Sequence, residues 1–589
     1  MLSISSSTQN KSNIAQVDEY LNQWHKADRF NGVVLIAKND HILFEKGYGY
    51  ANREWKVPCS KNMKFDIGST SKQFTTVMIF QLIEEGKINL DDKLTVHLPD
   101  YRNDTGAKIT IDNLLKQTSG IPCYIRDWTY TEAEFENEIP GPLRHHFKSQ
   151  YLISRYMSGD LLFEPESAYH YSNSNHYLLG KIIENVTGKS FEQNLTERII
   201  QPFNLLNTGL GNNEKIIPNM SSGYVNIPTD DAKAPYFYYP NFYGTGGMYS
   251  TVEDLYLWNR ALETNQLLPE SYHEILFTPY WEEGEVHSYL FNYYTTHISD
   301  DTNPVSYTSF SGAFDGFVTD VFRFPRTGHI IVIHDNSAHN NQWEIVPGIY
   351  RIINDQPVIS PLKKASKYIS NISLNNGLEA ALEEYKNILF IKPNEYDFST
   401  LEYDINYYAN KYQKLQRLIC AETLFQLNTE LFPYSSDAWN GYGMLLSIEN
   451  KDSLSNLAYA KAANIRNIED DIVTLIKEKK YDEAGGKIIE IRKVYPDKII
   501  LSSPRIGPIF GEMFSAEMYD DALQICRLWI LGNPVVPGPY FSMARVFIKQ
   551  GNIEEAKLTY QKIIDIFPGQ SAENAQVELE KLKENDEYQ

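Results

Sequence analysis

Ser69 and Lys72 stand three residues apart near the head of FDIGSTSKQFTTVMIFQLIEEG, residues 65–86. Residues at that spacing share one helical face, so a lysine amine can reach a serine hydroxyl one turn back. A serine beside an amine is a nucleophile beside a base. If the serine also opens the helix, free backbone N–H groups and the positive end of the helix dipole offer a place for an oxyanion. The spacing alone is weak. Ser360 and Lys363 repeat it in a stretch that reads as a linker, and on four letters the plainer reading is Ser69 as an N-cap and Lys72 as a solvated lysine.

The surrounding elements give the pair its context. Phe74, Val77, Ile79, Phe80, Leu82 and Ile83 leave little room for a polar stripe, which predicts a helix buried on most sides and stopped at Gly86. Upstream, Ile14, Val17, Leu21 and Trp24 follow the helical period from about Asn13 to Asp28. Asn31–Ala37 and Ile42–Tyr50 flank the polar turn Lys38–His41, a hairpin signature. Further on, Ile109-Thr110-Ile111 opens a helix that ends at Thr118–Pro122, and Ser250 with Glu253 reads as a capping box starting a helix through Trp258. Val318–Phe324 and His329–His334 read as adjacent antiparallel strands.

The order EKGYGYAN (45–52), FDIGSTSKQFTTVMIFQLIEEGKINLDD (65–92) and ITIDNLLKQTSGIP (109–122) resembles the serine β-lactamase and penicillin-binding superfamily. More narrowly, it is similar to class C β-lactamase-like serine hydrolases, from roughly Asn13 to Pro357. The likeness continues through Tyr171-Ser172-Asn173 and Gly246–Thr251. Tyr-x-Asn by itself says little, because Tyr101–Asn103, Tyr224–Asn226 and Tyr239–Asn241 match it too. The resemblance implies an α+β fold, an α/β/α sandwich with an antiparallel sheet, and an acyl-enzyme chemistry. Ser69 would be the nucleophile, and Lys72, made neutral by desolvation, or Tyr171 would be the base. Asn173 would orient Lys72 and a substrate amide, while the N–H groups of Ser69 and Ala313 would form the oxyanion hole. The family's Lys-Thr-Gly or His-x-Gly triad falls on Phe310-Ser311-Gly312. Phe310 cannot supply the cation that holds a substrate carboxylate in the family's carboxylate-binding members; the alternative is that Phe310 merely fills apolar space and the contact comes from elsewhere, such as Ser311 or an arginine.

Composition narrows the classes. With 589 residues, 42% hydrophobic, 41 Tyr and 28 Phe, the chain is globular and long enough for two or three domains. A net charge of -22 argues against nucleic-acid binding, which needs clustered Lys and Arg. Cys59, Cys123, Cys420 and Cys526 show no C-x-x-C spacing and read as buried free thiols. The start, MLSISSSTQNKSN, has no apolar core of a signal peptide, and no run of about 18 apolar residues predicts a membrane span. The resemblance favours an exported bacterial protein whose leader is absent from this chain. No H-E-x-x-H and no glycine-rich phosphate loop appear, so neither a metal nor a cofactor is implied.

Residues 125–165 and 227–243 carry the least family character. The second holds Tyr236-Phe237-Tyr238-Tyr239, Phe242 and Tyr243, rings that either line a pocket or pack a long connection onto the sheet. His145 and His146 read as solvated loop residues. Beyond Gln356–Pro361 helical repeats take over: Ala522, Cys526 and Pro534 recur as Ala556, Tyr560 and Pro568, each 34 residues later, the tetratricopeptide period. Fainter copies lie at Ala381/Tyr385/Pro393, Ala421/Phe425/Pro433 and Ala484/Ile488/Pro496. In the last unit Tyr540, Met543, Ala544, Phe547, Gly551, Ala556 and Tyr560 take the contact positions.

The expected layout is a hydrolase domain at 1–357, a linker at 358–365 and an all-α helical repeat domain at 366–589. The expected function is acyl transfer from an ester or amide/peptide, a small molecule or peptide, to Ser69, with a protein partner on the repeats. The alternative is a catalytically weak scaffold that recruits partners through them.

Overall fold

The computed structural model describes residues 2–127, 146–230, 232–264, 266–280, 286–296, 305–356, 358, 360–392, 395–398, 400–494, 503–534, 536–567 and 570–587. Pro357, the expected close of the first domain, lies outside them, as do His145 and the repeat prolines Pro393, Pro496 and Pro568. The chain separates into two compact units. One comprises Met1–Asn226 and Ala232–Val358, the other Ile227–Asp231 and Ile359–Gln589.

In the first unit Gly32–Lys38 and His41–Tyr48 form the expected hairpin, with Leu35 opposite Glu45. The hairpin joins a seven-stranded sheet in the order His41–Tyr48, Gly32–Lys38, His329–Asp335, Phe317–Phe324, Val305–Phe314, Asn292–Thr296, Val286–His287. Every neighbour in it is antiparallel. Side chains alternate between its faces. Val34, Ile36, Phe322, Ile331 and Ile333 join Val17, Leu21 and Trp24 of the helix Leu2–Lys26 and Ile345 and Ile349 of the helix Gln342–Ile353. Val33, Leu35, Val321 and Val332 join Phe74, Val77 and Met78 of the helix Ser71–Glu84 and Leu178 and Ile182 of the helix Asn173–Thr187. Helices thus cover both faces, which is why the Gly32–Ala37 stretch is a continuous buried run rather than an alternating one.

Two boundaries differ from expectation. The first helix begins at Leu2, in a stretch with no apolar period to announce it. The predicted capping box at Ser250 does not form. Ser250 ends the strand Met248–Ser250, paired with Phe65, and its hydroxyl meets Thr208 Oγ1 at 2.7 Å. Thr251 is the cap instead, accepting from the Asp254 N–H at 3.2 Å, and the helix runs over Val252–Leu262. The cap is the extended residue directly before the first helical one, and because Thr251 is itself still extended, that place falls to Thr251 rather than to Ser250.

From Ile359 onward the described residues of the second unit are mostly helical, with a two-residue parallel pairing of Lys363–Lys364 with Tyr396–Asp397. Ala381, Ala421, Ala484, Ala522 and Ala556 are each fully buried, and each is the fourth residue of its helix. Four of these helices follow a left-handed residue two positions earlier: Gln416, Lys479, Glu517 and Gly551. The same sharp turn therefore recurs before the same small buried residue, which lets neighbouring helices approach closely. Among the described residues, no helix is long and apolar enough to cross a membrane.

Candidate active site

Ser69 sits in the tight turn Gly68–Thr70 that leads from the strand Phe65–Asp66 into the buried helix Ser71–Glu84. That helix ends as expected, with Gly86 in the left-handed conformation. Its near-total burial follows from its composition, and Phe74 stacks on Trp258 at 4.2 Å between ring centroids. Two glycines bring the Ser69 turn against the strand Val305–Phe314. Gly68 has φ +49°, and a Cβ there would lie 2.6 Å from the Ala313 nitrogen. A Cβ on Gly312 would lie 1.9 Å from the Ile67 carbonyl oxygen and 2.8 Å from the Thr70 nitrogen. Only glycine at both points permits this approach.

One turn into the helix, Lys72 is 2% exposed. Its Nζ lies 3.0 Å from Ser69 Oγ, 2.8 Å from Asn173 Oδ1 and 2.6 Å from the Thr245 carbonyl oxygen. On the other side of the serine, Tyr171 OH lies 2.6 Å from Ser69 Oγ. Burial pulls the Lys72 amine down to about 7, with the nearby Arg126 charge pushing the same way and Cys123 opposing. Burial likewise lifts the Tyr171 phenol to about 12, against its hydrogen bond with Ser69, which lowers it. Two of the three Lys72 partners, Asn173 Oδ1 and the Thr245 carbonyl, can only accept. A neutral amine satisfies both with its two protons and turns its lone pair toward the Ser69 hydroxyl.

Asn173 opens the helix Asn173–Thr187 behind the lysine. Its Oδ1 also accepts from Thr245 Oγ1 at 2.9 Å, and its Nδ2 and backbone N–H each lie 3.4 Å from Cys123 Sγ. The amide is therefore oriented from both ends. Thr245 and Cys123 escaped the sequence reading. A backbone carbonyl carries no side-chain signature, so only the glycine-rich setting of Gly244-Thr245-Gly246-Gly247 hinted at it. Cys123 directly follows Thr118–Pro122 but reads as an ordinary buried thiol.

Phe310, Ser311, Gly312 and Ala313 lie together on the strand beside the Ser69 turn. Phe310 is half-buried and packs on the main core, whereas Ser311 and Ala313 are exposed. On this strand, the neighbouring Asn292–Thr296 reaches only Val305–Ser309. Among the described residues, Phe310–Phe314 is therefore paired on one side only, by Phe317–Val321. The aromatic segment divides. Tyr243 is buried against Tyr177 at 4.6 Å and Phe191 at 5.6 Å, while Phe237 stacks on Phe314 at 4.4 Å beside the Ala313 end of the strand. His146 is exposed, its ring 5.0 Å from that of Tyr238.

The sequence model of the Beta-lactamase family matches residues 15–347, more than half of the chain. Protein flp of Staphylococcus aureus strain MRSA252 is 30% identical over 339 residues, which cover 55% of this chain and 62% of flp. The putative penicillin-binding protein PbpX of Bacillus subtilis strain 168 is 26% identical over 347 residues, covering 58% of this chain and 79% of PbpX. Among solved structures, EstCE1, described as a hydrolase with promiscuous acyltransferase activity, superposes with a TM-score of 0.50 at 21% identity, over 59% of this chain and 98% of that one. The chain thus spans less than two thirds of flp, and its likeness to EstCE1 is one of fold. The sheet between helices, the buried lysine one turn after Ser69 and the family match over residues 15–347 agree: this chain belongs to the Beta-lactamase family.

Proposed function

We propose that the protein is a serine hydrolase that forms an acyl-enzyme at Ser69 with an ester or an amide/peptide substrate. The observation that carries this reading is the line Lys72 Nζ, Ser69 Oγ, Tyr171 OH, with steps of 3.0 and 2.6 Å. The neutral Lys72 amine takes the Ser69 proton as Oγ attacks the substrate carbonyl carbon. The N–H groups of Ser69 and Ala313 receive the oxyanion. Tyr171 gives its proton to the departing oxygen or nitrogen and regains one from Lys72. Water then attacks the acyl ester by the same route in reverse, restoring Ser69. Lys72 rather than Tyr171 is the base in this reading, because a phenol raised to about 12 stays protonated near neutrality.

The one-sided edge at Phe310–Phe314 suits an extended acyl or peptide chain laid alongside it. Phe310 weakens the case for efficient β-lactam turnover, since it offers no charge to the β-lactam carboxylate. We assign residues 1–357 to the hydrolase domain, 358–365 to a linker and 366–589 to a tetratricopeptide-like domain that holds a protein partner. The recurring buried alanines at the fourth helical position support the last assignment.

Covalent labelling tests the chemistry. A fluorophosphonate or a fluorescent penicillin should label the protein, and Ser69→Ala should remove the label while changing the unfolding free energy by only about 1 kcal/mol, the net worth of a lost side-chain hydrogen bond. An unlabelled parent that turns over none of a set of esters, D-amino-acid amides and β-lactams would overturn the reading.

A further inference from the structure

The helix Ile111–Leu115 is closed by a residue that its turn does not ask for. Gln117 takes the left-handed conformation, φ +62°, with its N–H 3.4 Å from the Leu114 carbonyl oxygen and the Thr118 N–H 3.0 Å from that of Asn113. Glycine or asparagine fits such a helix stop with the least strain. Glutamine is disfavoured there, and its side chain, with the residue only 5% exposed, is turned inward to another duty.

A segment without regular structure runs past it. Residues 158–172 form neither helix nor strand, so no ladder fixes Tyr171. Both of its neighbours are held by Gln117 instead. The Gln117 main-chain carbonyl accepts from the His170 N–H at 3.0 Å, and Oε1 accepts from the Ser172 N–H at 2.9 Å. Oε1 also accepts from Asn175 Nδ2 at 2.6 Å, and Asn175 Oδ1 accepts from Ser119 Oγ at 2.7 Å. A backbone N–H can only donate, so the Ser172 contact fixes which end of the glutamine amide is oxygen. Nε2 therefore donates to His176 Nδ1 at 3.2 Å, and the imidazole proton lies on the other nitrogen, facing Thr76 Oγ1 at 3.3 Å. Burial pushes His176 well below its ordinary value, with Lys72 pushing the same way, so the ring stays neutral and keeps this pattern. Thr76 stands one turn beyond Lys72 on the helix Ser71–Glu84. One side chain thus ties the flank of Tyr171 to the helix that carries the lysine.

We propose that Gln117 is the positioning residue for Tyr171, holding the phenol where it reaches both Ser69 Oγ and the leaving group; the inference rests on the serine-hydrolase reading above. Gln117 touches none of the reacting atoms. It acts through the N–H groups on either side of Tyr171, and the 2.6 Å approach of the phenol to Ser69 Oγ depends on where they are held. A displaced phenol passes its proton poorly, and that matters most where the leaving group needs one.

Two variants respect the left-handed backbone. Gln117→Gly keeps the main-chain carbonyl and removes the amide, and Gln117→Asn draws the amide back by one methylene. The test measures kcat/KM, with melting, for the phenyl and 4-nitrophenyl esters of butyric acid. Nitrophenolate departs readily as an anion, whereas the more basic phenolate gains from a proton as it leaves. Gln117→Gly should slow the phenyl ester about fivefold or more beyond its effect on the nitrophenyl ester, and Gln117→Asn should do the same to a smaller extent. Tyr171→Phe should show the same selective loss, and adding Gln117→Gly to it should bring no further selective loss, because both act through one phenol. Equal slowing of the two esters in a folded variant, no slowing of either, or a full further selective loss in the double variant overturns the inference while the hydrolase reading stands. A parent that is neither labelled by a fluorophosphonate nor able to cleave either ester overturns both.

Discussion

Gly68 and Ala313 are so close that a single methyl group on the first would sit 2.6 Å from the amide nitrogen of the second. The Ser69 turn and the strand Val305–Phe314 are therefore held at backbone contact, with no side chain between them. That spacing is what places the Ser69 and Ala313 amides on one oxyanion in the proposed reaction.

Gly68→Ala should consequently damage the site. The left-handed φ of +49° alone costs a non-glycine residue roughly 1–2 kcal/mol. The added methyl also pushes the Ala313 amide away, and loss of one oxyanion donor slows acylation by about a hundredfold or more. Melting and labelling rate are the measurements. A variant labelled as fast as the parent would remove Ala313 from the oxyanion hole.

Acylation should rise with pH through a midpoint near 7, because burial holds the Lys72 amine there and only its neutral form accepts the Ser69 proton. Arg126→Ala should move the midpoint upward, since the arginine charge helps keep the amine low. The stability linkage has a definite sign. Between about 7 and 10.5 the unfolded chain holds the proton and the folded chain does not, so this group's contribution to stability rises with pH across that window and is least favourable below it. Labelling rates between about pH 5 and 9 check the first part; a rate that falls as pH rises would rule Lys72 out as the base.

Phe310→Lys and Phe310→His should shift selectivity toward substrates with a carboxylate beside the scissile carbonyl. A charge-assisted hydrogen bond contributes roughly 1.5–3 kcal/mol, or about ten- to a hundredfold in discrimination. Because Phe310 is half-buried against the core, melting must accompany the kinetics. Acylation by a penicillin and by a neutral ester gives the ratio, and a change within about twofold in a folded variant would show that position 310 does not set charge preference.

A chain ending at residue 357 should keep the labelling of the full protein, since every group around Ser69 lies before it. Residues Ile227–Asp231 belong to the helical unit, where Asn371 Nδ2 donates to the Pro228 carbonyl at 2.8 Å and Lys367 pairs with Asp230 at 2.9 Å. In the shortened chain that segment should become an early site of proteolysis. Aggregation, or loss of labelling from a folded product, would mean that the helices are an integral support of the hydrolase.

What the sequence determined by itself was local or patterned. Ser69 and Lys72 are three residues apart, so helical geometry alone brings them together, and the apolar residues around them already require a buried helix. The hairpin at Gly32–Tyr48 and the alanine-marked helices follow from periodicity in the same way. Other features exist only because distant segments meet. The Thr245 carbonyl and Cys123 Sγ are set around Lys72 and Asn173 by contacts spanning 173 and 50 residues. Arg126 reaches Tyr171 across 45 residues from a turn with no motif of its own. A backbone oxygen, a thiol and a lone arginine look the same in any protein; burial and long-range closure of the chain put them around Ser69, Lys72 and Tyr171, and that closure is written in no single stretch of residues.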